Sequence, residues 1–255
     1  MNFDVKTCHE LRKVLQTINV PFNCLEISPF YCPLLSPPSK TFDVLTKSEL
    51  IKLCEGDSNI SDKCVNIRDV DYVSSTGDLR TINTMFDLVV SSHCIEHTPD
   101  LLQHLSDVEY LLNEHGQYVC FIPHRLYTFD HYKPCKSAAD VLEAHILQKK
   151  RPSLKTFIET QLYTTHNDCS RHWKNDNGSW NTFNRSDLDN LVEAYRIKEL
   201  NQEYTSLHNW HFTLQEFLCV FAILKQLQYL PRLEIANSID VHKNSHEFCV
   251  VFRKV

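Results

Sequence analysis

Residues 86–134, FDLVVSSHCIEHTPDLLQHLSDVEYLLNEHGQYVCFIPHRLYTFDHYKP, read as strand, polar cluster, capped helix and second buried strand. That succession is one βαβ unit, and it commits the chain to a parallel sheet with helices against its faces. Phe86-Asp87-Leu88-Val89-Val90 is short, β-branched and mostly apolar, as a central parallel strand requires. In the helix that follows, Thr98 is expected as N-cap and Pro99 at the first helical position. Leu101, Leu102, Leu105, Val108, Leu111 and Leu112 make one apolar stripe, which Gly116 is expected to close. Residues 118–122 return as a strand ended by Pro123. Open α/β sheets bind ligands beyond the carboxyl ends of their strands, so Ser91, Ser92, His93, Glu96 and His97 stand where a site is expected.

The flanking sequence continues the alternation. Thr7 and Glu10 have capping-box spacing ahead of Leu11, Val14, Leu15 and Ile18, which predicts a first helix that ends before Pro21 and covers the sheet. Residues 22–27 (FNCLEI) read as the first strand. Pro29, Pro33, Pro37 and Pro38 then forbid an ordinary helix before the second, at 41–44. Thr46 and Glu49 cap a helix through Leu50, Ile51, Leu53 and Cys54, and Val65-Asn66-Ile67 is expected as a third strand with Asp69 and Asp71 beyond it. From 124 to 207 polar loops and helices take over, with Ser137, Ser153 and Ser186 as N-caps, and this stretch reads as an inserted lid. Thr213 and Glu216 cap an apolar helix over 217–230, and 233–241 with 247–252 form a closing antiparallel hairpin. The expected fold class is α/β. It is a Rossmann-like, mostly parallel sheet with a C-terminal antiparallel hairpin and a largely helical insertion after the fifth strand, all in one domain over residues 1–255.

Composition narrows the function. A chain of 255 residues that is 42% hydrophobic can bury one large core. A net charge of -6 argues against a nucleic-acid surface, because phosphate backbones are held by clustered Lys and Arg. The 11 cysteines are scattered without a CxxC pair, as reduced thiols rather than a disulfide scaffold. Asp4, Lys6, His9, Glu10, Arg12 and Lys13 occupy the place of a signal-peptide core, and the longest apolar run, 217–224, is too short to span a bilayer. A cytoplasmic location is expected.

LEISPFYCPLL, FDLVVSSHCIEHTPD, IPHRLYTFDHYKP, HNDCSRHW and HFTLQEF follow one another between residues 25 and 217. In that order they resemble the class I S-adenosylmethionine-dependent methyltransferases, more narrowly those associated with bacterial surface-polysaccharide and glycosyltransferase genes. The resemblance implies S-adenosyl-L-methionine as cofactor. Glu26, Ser28, Pro29 and Phe30 would form its first loop, Asp43 would receive the ribose hydroxyls, and Asp71 with Tyr72 would face the adenine. Ser91, Ser92 and His93 would stand where cofactor and acceptor meet. The implied acceptor is a small molecule or glycan precursor of capsule or O-antigen, methylated on a sugar hydroxyl or a phosphate or phosphoramidate oxygen. Two departures stand out. Ser28 replaces the usual glycine in a chain with only 4 glycines, and a Cβ there is expected to crowd the ligand or forbid a positive φ. The family's Pro-Asp-Lys-Arg is here Pro123-His124-Arg125-Leu126.

Methylating a hydroxyl requires in-line alignment and removal of a proton, for which a neutral histidine is suited. His124 is the first choice of base and His93 the second. Glu96, His97, Arg125, Tyr127, Asp130, His131, His166, Asn167, Asp168, His172, Trp173 and His208 are the acceptor-binding candidates. No residue is assigned as a metal ligand, although His166/Asp168/His172 and His208/His211 have spacings that a rival metal reading would use. A second rival is a non-catalytic, methyltransferase-like binding protein of a polysaccharide assembly pathway. A second copy of the chain is a further candidate partner, as a homodimer.

Overall fold

The computed structural model describes residue 3 and residues 5–17, 23–201 and 205–255. Among them, β1 (Cys24–Ile27), β2 (Lys40–Asp43), β3 (Tyr72–Val73), β4 (Phe86–Ser92), β5 (Leu112–Pro123), β6 (Leu233–Ile239) and β7 (Glu247–Lys254) form one sheet in the order β3-β2-β1-β4-β5-β7-β6. The first five strands are parallel. β7 runs antiparallel to both β5 and β6, so the terminal hairpin extends the sheet past its fifth strand. The expected fold class is the one observed. Strand order reverses direction between β1 and β4, and in an open α/β sheet the crevice opens at such a point.

Side-chain alternation along the central strands sorts the core into two layers. Tyr118, Cys120 and Ile122 of β5 and Phe248, Val250 and Phe252 of β7 face one layer, which is roofed by α3 (Leu101–Leu111), α4 (Ala138–Ile146) and α8 (Leu214–Gln226). Val119 and Phe121, with Cys249 and Val251, face the other, where Leu11 and Leu15 of α1 (Cys8–Thr17) meet Leu34 and Leu35 of the proline-rich crossover. Each fully buried Leu or Phe contributes about 1.5–3 kcal/mol, which sets both faces firmly. Ala138, Val141 and Ala144 of α4 belong to the first layer, so the segment after β5 is partly built into the main core.

Local capping chemistry explains most helix starts. The Thr7/Glu10 exchange opens α1, and full capping boxes open α2 (Lys47–Glu55) at Thr46/Glu49 and α8 at Thr213/Glu216. Ser137 and Ser153 cap α4 and α5 (Leu154–Tyr163) as expected. Ser186 does not cap. It lies inside α7 (Arg185–Asn201), where Asn184 and Asp187 exchange side-chain-to-backbone bonds one turn earlier. Ile18, Pro21 and Phe22 lie outside the described residues.

Three further expectations are corrected. The third strand is not Val65-Asn66-Ile67, which belongs to the end of a 3₁₀ turn with Val65 89% exposed; Tyr72–Val73 takes the edge position instead. The register there is fixed by Asp71, whose carboxylate accepts from Thr41 N–H at 3.0 Å and from Lys40 Nζ at 2.8 Å. The cap of α3 is Asp100, accepting from Gln103 N–H at 2.9 Å, while the Thr98 hydroxyl donates to Ile95 O. Gly116 does not close that helix. It sits within β5, where a Cβ would come within 2.9 Å of Asn113 O and 3.0 Å of Phe86 O, so close backbone approach demands glycine.

Candidate active site

Beyond the carboxyl ends of β1 and β4 the backbone turns through left-handed conformations at residues that carry side chains. Ser28 has φ 52°, Phe30 φ 44° and His93 φ 49°. Ser28 thus adopts the conformation its Cβ was expected to forbid, at a cost on the order of 1 kcal/mol that the surrounding bonds must offset. Ser28 N–H donates to Phe42 O at 2.8 Å, locking the loop to β2. Glu26 is 1% exposed and accepts from Leu34 and Leu35 N–H at 2.7 and 3.0 Å. It pins the far end of the loop, and burial pushes its pKa up to about 7 against those two bonds. Its carboxylate is therefore a brace behind the loop that carries Pro29 and Phe30.

Asp43 ends β2 and is buried, which raises its pKa, while Leu45 N–H donates to Oδ1 at 3.1 Å and the Ser28 hydroxyl also meets the carboxyl. Asp71 is committed to Lys40 and Thr41, and Tyr72 follows on β3. Ser91 turns its hydroxyl into the core, 2.6 Å from Tyr118 OH. Ser92 faces the opposite layer and accepts from Arg12 at 2.6 Å.

Arg12 begins a clamp with no local sequence signal. Its guanidinium donates to both oxygens of Glu247 at 2.7 and 2.6 Å and packs on the Phe121 ring at 4.4 Å. Glu247 in turn lies 2.9 Å from His93 Nε2. Burial alone would raise the Glu247 pKa, yet the bonds from Arg12 and His93 hold it well below the carboxylate range. For His93, burial is outweighed by Glu247 and Glu96, and its pKa is raised. Arg12, His246 and Glu247 were absent from the sequence-derived set. The one available hint was a charged residue opening β7 ahead of its apolar run 248–252.

The other His93 nitrogen, Nδ1, looks toward Glu96 Oε1 at 3.9 Å. Glu96 is fully buried in the 3₁₀ turn Ile95–His97, and burial raises its pKa. His97 Nε2 and His208 Nε2 approach the same oxygen at 3.8 and 3.9 Å. Backbone bonds lace the two segments together, since Asn209 and Trp210 N–H both donate to Glu96 O and Asn209 Nδ2 donates to His97 O. Burial, then the charges of His208 and His93, pull the His97 pKa down to about 3. Asp130 accepts from His208 Nδ1–H at 2.5 Å and pairs with Lys133 at 2.9 Å, both 1% exposed. The structure thus brings His93, Glu96, His97, Asp130 and His208 together from separate parts of the chain.

Other candidates are engaged elsewhere. His124 is buried between Tyr127 and Phe248, and burial brings its pKa down to about 4. Arg125 forms a two-pronged pair with Glu216 at 3.0 and 2.9 Å. Tyr127 stacks on Trp173 at 4.0 Å, and Trp173 Nε1–H donates to Ser245 O. The His166–Trp173 stretch is knitted to itself: His166 bonds Asp176 O, Asp168 caps α6 (Cys169–His172), and His172 bonds Asn177 and His166 O. Asn167 accepts from Phe129 N–H and His131 bonds Leu126 O. Neither metal spacing considered above survives as a ligand cluster, because the His166 and His172 side chains bond within their own stretch and His211 turns its two nitrogens toward the backbone carbonyls of Pro134 and His208. A cavity of about 370 Å³ lies beside this region, walled by Pro99, Lys136, Asp140, Arg151, Asn209 and Trp210. Lys136 there is paired with Glu159 at 2.5 Å.

No family model matches the chain, and no curated protein matches it. Among solved structures, it is similar to a Listeria monocytogenes protein assigned as an S-adenosylmethionine-dependent methyltransferase, at 11% identity over 97% of each chain with a TM-score of 0.44. It is also similar to an S-adenosylmethionine-dependent methyltransferase from Clostridium acetobutylicum ATCC 824, at 12% identity over 91% of this chain and 83% of the other, TM-score 0.41. A Rhodobacter sphaeroides protein assigned to the Zn-dependent alcohol dehydrogenases gives 11% identity, 98% and 91% coverage and a TM-score of 0.46. At such identity and overlap the likenesses decide nothing about activity, and the fold rests on strand order and register.

Proposed function

We propose that the chain transfers a methyl group from S-adenosyl-L-methionine to an oxygen of a small polar acceptor, a sugar hydroxyl or phosphate-type oxygen of a surface-polysaccharide precursor. The observation that carries the reading is the convergence of the left-handed Ser28 loop, the buried Asp43 carboxylate and His93 at the β1/β4 reversal. The residues fit the cofactor chemically. A carboxylate ending β2 suits a ribose diol, and the φ of Ser28 lets the main chain turn close to a ligand despite the missing glycine.

Bound there, the cofactor supplies an electrophilic methyl carbon on sulfonium. Asp43 and the Ser28–Phe30 loop would hold the cofactor, and the methyl group would pass to the acceptor oxygen while the sulfonium sulfur keeps the C–S electron pair. In its neutral form, with Nε2–H given to Glu247, His93 would take the hydroxyl proton on Nδ1, while Arg12 holds Glu247. His93 is preferred over His124 because it directly follows β4 and is 32% exposed at the side chain, whereas His124 is enclosed by aromatic rings. The acceptor would enter on the side of segment 124–207, against the partly exposed His97, with His208 and Asp130 behind it.

Methyl-labelled cofactor incubated with nucleotide-linked sugars and phosphorylated sugars tests the proposal. A product heavier by one methylene, with demethylated cofactor in equal amount, is expected. Failure to methylate any member of the panel by a protein that binds the cofactor would overturn the acceptor class.

A further inference from the structure

We infer that Glu96, His97 and His208 form a binding site for one divalent first-row transition ion of zinc's chemistry. The Glu96 carboxylate is 0% exposed, and neither oxygen has a hydrogen-bond partner in another residue among those described. A buried carboxylate left in that state costs several kcal/mol unless something positive meets it. The groups that approach it are imidazole nitrogens, at 3.8 and 3.9 Å, beyond hydrogen-bond range. An ion bonded at 2.0–2.2 Å to two nitrogens and one oxygen would hold those atoms about 3.4 Å apart, so the two nitrogen–oxygen edges need close by only about 0.5 Å, and the three ligand atoms already lie within 4.8 Å of one another.

Ring orientation supports the same assignment. His208 gives its Nδ1 proton to Asp130, and His97 Nδ1 lies 3.2 Å from Ser206 Oγ. Both rings therefore turn Nε2 toward Glu96, and a histidine that ligates through one nitrogen characteristically gives its other N–H to such a partner. The Asn209 and Trp210 backbone bonds to Glu96 O hold the two ligand segments in place without an ion. His97 is 28% exposed at its side chain, which provides the entry side. Two imidazoles and one carboxylate leave coordination positions open, a donor set that suits zinc or ferrous iron and disfavours magnesium and calcium. Resting on the methyl-transfer reading, an open position facing His93 Nδ1 at 3.9 Å from Glu96 is where an acceptor oxygen would bind, polarised by the ion as His93 takes its proton.

The test is metal binding by the whole chain, without cofactor. Chelator-stripped protein titrated with Zn²⁺ is expected to take up one ion per chain, and Co²⁺ in its place to give a visible d–d band. Glu96→Gln and His208→Gln are expected to weaken Zn²⁺ at least tenfold, whereas His166→Gln leaves it unchanged and Mg²⁺ does not compete. Circular dichroism checks folding, and the partly exposed His97→Gln carries the comparison if His208→Gln does not fold. No stoichiometric uptake by the wild-type chain, or equal affinity in Glu96→Gln and His97→Gln, would overturn the site. Calorimetry of S-adenosylhomocysteine on the stripped protein stands apart, so loss of the metal site and loss of the cofactor reading give different results.

Discussion

His208 Nδ1 stands 2.5 Å from Asp130 Oδ2, and this one bond turns the opposite ring nitrogen toward the buried Glu96. Asp130 also pairs with Lys133, so one carboxylate orients an imidazole and neutralises an ammonium in the same enclosed space. Burial alone would raise its pKa, but His208 and then Lys133 keep it ionised far below the ordinary range.

Asp130→Asn should therefore destabilise the fold by about 3–5 kcal/mol, because it leaves Lys133 charged and buried without its partner. The double variant Asp130→Asn with Lys133→Met should recover most of that loss in urea denaturation. Equal stabilities for the single and double variants would show that the pair is not coupled. Zn²⁺ affinity of the double variant should still fall roughly 10- to 100-fold, as for loss of an outer-shell partner.

Ser28→Gly should leave stability within about 1 kcal/mol of wild type. Relief of the left-handed strain opposes the greater freedom glycine gives the unfolded chain. The variant should bind S-adenosylhomocysteine at least as tightly as wild type. A tenfold loss of affinity in calorimetry would mean that the hydroxyl, not the backbone shape, is what the loop contributes.

Glu216 joins the start of α8 to Arg125, and although burial would raise its pKa, the bonds from Arg125 bring it down to about 2. A depressed carboxylate contributes stability that is present above its unfolded pKa, about 4.3, and is lost as pH falls through about 2. Glu216→Gln keeps the capping-box geometry but not the charge, so it should cost ~1–2 kcal/mol at neutral pH. The difference from wild type should shrink between pH 4.5 and 2 in denaturation curves. A gap independent of pH would assign the effect to packing.

Much of the fold was legible because its signals are local. Thr46/Glu49 and Thr213/Glu216 satisfy orphan helix donors within four residues, and the apolar runs at β4 and β5 fit only a covered strand. The third strand failed because β-branched content at Val65 and Ile67 is weaker than the tertiary clasp of Asp71 on Thr41. Gly116 misled because one residue type serves both helix ends and close strand contacts. At the site, Glu96, His97 and His208 were nominated for acceptor binding. Their convergence on one oxygen depends on a crossing of segments 112 residues apart. Arg12 and Glu247 were invisible for the same reason, being 235 residues apart.

His93→Gln should lower methyl transfer roughly 10²- to 10⁴-fold while leaving cofactor affinity within about threefold. His124→Gln, at an enclosed ring, should lower it less than tenfold. Rates measured on a nucleotide-sugar that the wild-type chain methylates decide between them, and the reverse ranking would return His124 to the role of base.

The methyl-transfer reading requires a cofactor site at the β1/β4 reversal, beside Asp43. Calorimetric titration of the wild-type chain with S-adenosylhomocysteine, beside Asp43→Asn, tests it most directly. One saturable site per chain, weakened at least tenfold by Asp43→Asn, is the predicted result. No binding at high micromolar ligand, or equal affinity in a folded Asp43→Asn variant, would contradict it.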